Sequence, residues 1–180
     1  MSEPVVRHRW VFYWGAGAIV LSLFDAIVRL ARVAWDARER GLMRPAMLVF
    51  TALWTLVIVY GEGYRAFAGI LAPRMASRLL VLSRQPLGWR HVLAPAYALS
   101  LVTTPPRRLL SAWMMLLGVM SAILIVRKLP QPWRGSVDFG VVCALTYGTL
   151  AIVSACAKAL RTGESVTDPE LPLQAQEPTQ

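Results

Sequence analysis

Asp25, Arg29, Arg32 and Asp36 recur at spacings of four, three and four. On a helix that rhythm sets all four on one face. Of these, Asp25 and Arg29 would serve a proton, an ion or an anionic group, if a cavity faced them. Asp25 and Arg29 stand nearest to the apolar sequence that precedes them. A carboxylate at the centre of a membrane span costs about 2.5–3.5 kcal/mol, less toward its end, and an arginine one turn on neutralises it. The pair reads equally as a snorkelling anchor that sets the depth of a helix. Its place toward the end of the apolar run favours the anchor.

Glu62 and Arg65, three apart, read as an ion pair at a helix end, close to Arg7, His8 and Arg9. Arg74, Arg78 and Arg84 follow, and they read as contacts to lipid headgroups. A basic side chain near an anionic leaflet contributes about 1 kcal/mol. His8 and His91 are the two histidines. Paired axial histidines can hold haem, but both lie outside the apolar runs, where a ligand would meet water, so no cofactor is expected. Cys143 and Cys156 share one apolar run, about 20 Å of helical rise apart, beyond disulfide reach. With no CxxC or Cys/His cluster, no metal site is expected. GxSxG, HExxH and Gly-rich phosphate loops are absent, so the reading leans away from an enzyme and assigns no catalytic residue.

Long apolar elements must carry these groups. The 180 residues are 56% hydrophobic with a net charge of +9. Soluble domains hold about 45–50% apolar residues. Here the excess is gathered in runs. The stretch 109–126, LLSAWMMLLGVMSAILIV, is uncharged between Arg107, Arg108 and Arg127, Lys128. Eighteen helical residues rise about 27 Å, close to the ~30 Å hydrocarbon core. Further spans are expected at about 10–30, 45–61 and 139–157. The N-terminal run leads into charged residues with no small-residue cleavage pattern, so an uncleaved first span is expected.

Ala18, Ser22 and Ala26 on the first span, and Gly140, Ala144 and Gly148 on the last, repeat small residues every four positions, which permits close helix packing. Between spans two and three, 71–103 is expected to lie in the interface or re-enter it. Its first part, 71–84, alternates arginines with leucines as a cationic amphipathic helix. The apolar part of 91–102 is short and contains Pro95. Residues 1–9 are expected as an N-terminal tail. Residues 162–180, acidic and proline-bearing, are expected as a disordered tail.

The expected fold is therefore an all-α integral membrane protein of four transmembrane helices, its membrane domain covering 10–161. Four spans put Arg7, Arg9, the arginines from Arg65 to Arg108, Lys158 and Arg161 on one side, outnumbering the basic residues opposite. That places both termini in the cytoplasm of a bacterial inner membrane. Because the arginines bracket apolar runs, anionic lipid is the expected partner, with a second membrane protein beside it and no nucleic acid. The leading functional expectation is a non-catalytic accessory or assembly component of a membrane system. The alternatives are a small transporter or channel lined by Asp25 and Arg29, and a lipid-modifying enzyme.

Overall fold

The computed structural model describes residues 8–39, 44–85, 88–102 and 106–163. The expected N-terminal tail, apart from His8 and Arg9, and the expected acidic tail after Gly163 lie outside the described residues. All regular structure among the described residues is helical: α1 (Arg9–Glu39), α2 (Pro45–Arg84), the short α3 (Trp89–Val92) and α4 (Ala94–Ala98), α5 (Pro106–Arg127) and α6 (Trp133–Thr162). Four of them, α1, α2, α5 and α6, are long and apolar enough to cross a membrane.

Their ends follow local chemistry. Pro45 opens α2 in the first turn, where a missing N–H costs nothing. α6 stops at Gly163, whose φ of 67° lets its N–H return to the Ala159 carbonyl at 2.9 Å. α1 has no internal proline and runs unbroken through its charged half.

α6 is the central strut. It runs antiparallel to α1: Gly135 lies against Ala37, while Val11, Phe12 and Ile19 share a core with Ile152, Cys156 and Ala159 at the far end. It runs parallel to α2. A Cβ at Gly140 would stand 2.6 Å from Trp54, one at Gly63 would meet Ala144 and Tyr147, and one at Gly148 would stand 2.6 Å from Phe67. Gly140, Ala144 and Gly148 thus face α2 along its length. Ser22 on α1 is exposed and returns its hydroxyl to the Ala18 carbonyl at 2.8 Å.

The segment 71–84 differs from the sequence expectation. It is no separate surface helix but the end of α2, and Met75, Ala76, Leu79, Leu80 and Leu82 are fully buried there. Two features make this possible. Val59–Leu71 winds as a π-helix, with the Ala72 N–H reaching back five residues to the Phe67 carbonyl. Pro73 follows in the first turn of the resumed α-helix, where it breaks no bond that the π-turn has not already displaced. The amphipathic pattern is real, but α1, α6 and α4 cover it on several sides, so its apolar face meets protein.

The expectation for 91–102 resolves into α3, α4 and a turn. Both helices are too short to cross a bilayer. Ala94, Tyr97 and Ala98 are buried against α1 and the end of α2.

α5 departs most from the bundle. It is the most apolar of the four long helices, yet no part of its apolar window is buried. Leu110, Trp113, Met114, Leu117, Leu124 and Ile125 are all exposed.

Candidate functional site

Asp25 and Arg29 form an ion pair of 2.8 Å one turn apart on α1, with side chains 59% and 75% exposed. They point away from the bundle. Their height follows from the pairing of α1 with α6. From Ala37 back to Asp25 is about 18 Å of rise, and the same rise from Gly135 along α6 reaches Tyr147. That is the middle of the uncharged run 139–157. Asp25 therefore sits at mid-height on the bundle and Arg29 a turn nearer the Gly135 end, although both stand near the end of the apolar run of their own helix.

Glu62 and Arg65 lie at the same height on α2, because Gly63 between them packs on Ala144 and Tyr147. Both are exposed, and no ion pair joins them among the described residues. They are in the interior of α2 rather than at a helix end. A π-helix turns less per residue than an α-helix, so residues three apart fall further short of a full turn, which separates the two side chains. Tyr64, Arg65, Ala68, Gly69 and Ile70 line a shallow cavity of about 440 Å³ on this outer face. His8 does not approach Glu62. Its N–H donates to the Ser83 carbonyl at 2.9 Å, at the other end of the π-helical segment and a helix beyond.

The three arginines expected at headgroups have separate surroundings. Arg84 is exposed and donates to the Gly163 carbonyl, tying the ends of α2 and α6. Arg74 is half-buried. Arg78 is only 3% exposed, so a headgroup cannot reach it. Its guanidinium lies 4.8 Å from the centre of the Tyr97 ring and donates to the Ser100 hydroxyl. A cation over an aromatic face, shielded from water, is a strong fastening. Arg78 thus clasps 94–100 onto α2.

His91 completes this end. Nδ1 lies 3.0 Å from the Gly88 N–H and 3.1 Å from the Gly88 carbonyl, and Nε2 faces the Leu82 carbonyl at 3.2 Å. Both ring nitrogens are engaged with backbone. The rings of His8 and His91 meet edge to face at 6.3 Å. The Trp14 indole adds a bond to the Val92 carbonyl at 3.2 Å.

At the opposite end the structure reveals a polar locus that the sequence reading passed over. Asp138 is 3% exposed and faces Arg134 at 3.7 Å. Among the described residues, nothing hydrogen-bonds its Oδ2 or the Ser136 hydroxyl. The (i, i+4) spacing of Arg134 and Asp138 was the available signal. It looked like the polar margin of a span, and only the packing of α6 at the centre of the bundle buries it.

Comparison with protein families, curated proteins and solved structures returns no match. Chemistry must therefore be read from the groups themselves. Among the described residues no three His, Cys, Asp or Glu side chains gather as a metal set. Cys143 and Cys156 are free thiols. The charged groups are spread over separate sites: an exposed pair on α1, an exposed acid and base on α2, a clasp at one end and a buried pair at the other.

Proposed function

We propose that this chain is a polytopic membrane protein that serves as a non-catalytic accessory or assembly component of a membrane system. α5 carries the reading. A fully exposed helix of this hydrophobicity exceeds by far the apolar patches that soluble monomers tolerate, so lipid is its natural solvent. It also buries no side chain of its apolar window in its own chain, which leaves most of that surface open to another membrane protein. The distribution of basic residues favours a bacterial inner membrane with both termini in the cytoplasm. Arg9, Arg84, Lys158 and Arg161 are exposed near the ends of α1, α2 and α6 that gather at Ser83 and Gly163, and there they suit anionic headgroups. Arg78, being buried, has no part in that contact. Asp25 and Arg29 lie on the outside of the bundle, which does not favour the transporter alternative.

Two measurements test this. Alkaline carbonate should leave the protein in the membrane pellet, and release into the supernatant would overturn the membrane assignment. Tagged protein extracted in mild detergent should retain a membrane partner, identified by mass spectrometry. Replacing 109–126 with an all-leucine span of equal length should reduce that partner at least tenfold. Undiminished recovery with the leucine span, or no partner with the native chain, would overturn the accessory role.

A further inference from the structure

We propose that the Asp25–Arg29 face of α1 is a contact between two copies of this chain within the bilayer. The inference needs the membrane assignment above but not the accessory role, since it concerns α1 and not α5.

Height and exposure argue it together. The antiparallel pairing of α1 with α6 puts Asp25 level with Tyr147, in the middle of the uncharged run of α6. A bilayer centred on that run holds Asp25 at mid-depth in its hydrocarbon, with Arg29 a turn nearer one surface. Both side chains are nonetheless open, at 59% and 75% exposure, and turned away from the bundle. Their mutual ion pair uses only part of what they offer: a guanidinium has five donors, and a carboxylate about four acceptor sites. Lipid tails satisfy none of these.

α5 offers the pair no opposite charge, because 109–126 has no charged side chain. A second copy can. The face is neutral as a whole, two acids and two bases, and at Asp25 and Arg29 it is self-complementary, one acid and one base a turn apart. Two chains inserted with the same topology are related by a two-fold axis along the membrane normal, the symmetry most dimers adopt. Their α1 helices then run side by side in parallel, with both Asp25 residues at one height and both Arg29 residues one turn away. Each carboxylate gains the neighbouring copy's guanidinium while keeping its own, and the exchange is reciprocal. Ser22, exposed one turn before Asp25 with its hydroxyl folded back onto Ala18, leaves room for the approach.

The test uses the full chain in native membranes, with Cys143 and Cys156 replaced by alanine and a single cysteine in place of Ser22. Oxidation should yield a disulfide-linked dimer, while a cysteine at exposed Leu150 on α6 should not. In the Ser22→Cys background, Asp25→Arg alone puts two cations at 25 and 29, and Arg29→Asp alone puts two anions there. Each should lower cross-linking at least tenfold. Co-expressing the two, distinguished by separate tags, should restore it as a mixed dimer. That recovery is inaccessible to a pair that acts only within one chain, and it shows that both variants insert. Absence of a Ser22→Cys dimer, undiminished linking in the single variants, or no recovery on mixing would each overturn the proposal.

Discussion

Arg78 shows how far one residue's role depends on what covers it. Its spacing from Arg74 marks a charged helix face, but the face lies under Tyr97 and Ser100. Removing it takes away a shielded cation–π contact and a charged hydrogen bond, and leaves a hole. Arg78→Ala should lower unfolding stability in detergent by about 2–4 kcal/mol, whereas Arg74→Ala at a half-buried site should cost under about 1 kcal/mol. Arg78→Lys should recover only part, because an ammonium cannot lie flat on the ring. Equal effects at 74 and 78 would contradict the clasp. Asp25 poses the opposite case, a pair exposed on the outside. Asp25→Ala alone strands Arg29, so it should reduce stability in lipid more than Asp25→Ala with Arg29→Ala, by about 1–3 kcal/mol. Chemical denaturation in bicelles would measure the difference.

Among the elements, α2 is the least regular and the most constrained. Its π-helical segment resets which side chains face α6, bringing Gly63 to Ala144 and Phe67 to Gly148. The contact at Gly148 is tight: a Cβ there would stand 2.6–2.9 Å from Phe67 ring and Cβ atoms, which are held close to the backbone and yield little. Gly148→Ala should therefore destabilise by about 1–3 kcal/mol. Adding Phe67→Ala should cost less than the sum of the two changes, the mark of a direct contact. Gly17 on α1 has open space around its missing Cβ, so Gly17→Ala should be neutral or stabilise by up to about 1 kcal/mol. Thermal unfolding of the four variants in one detergent reads all of this.

In the whole molecule, three helices make a bundle and the fourth stands apart. Because none of the apolar window of α5 is buried, the all-leucine replacement of 109–126 should leave unfolding stability within about 1 kcal/mol of the native chain. The same replacement of 139–157 should abolish folding, since it would drive side chains into Trp54, Phe67 and the core around Ile152. Intrinsic fluorescence during denaturation separates the two outcomes. Internal stability and hydrophobicity are thus uncoupled in this chain: its most apolar stretch contributes least to its core.

The sequence by itself determined that four helices would be long and apolar enough to cross a bilayer, because hydrocarbon length and charge exclusion are properties of a run of residues. It also exposed the Asp25–Arg29 pair, since one helical turn decides that geometry. It did not determine that 71–84 would be buried, that Glu62 and Arg65 would part, or that Asp138 would be covered. Each of those depends on a neighbour distant in the chain. Height was the subtlest case. Along α1 alone, Asp25 stands near the end of an apolar run; laid against α6, it stands at the middle of one. Only the packing of antiparallel helices relates one helix's charges to another's apolar run, and a one-dimensional pattern carries no record of that alignment.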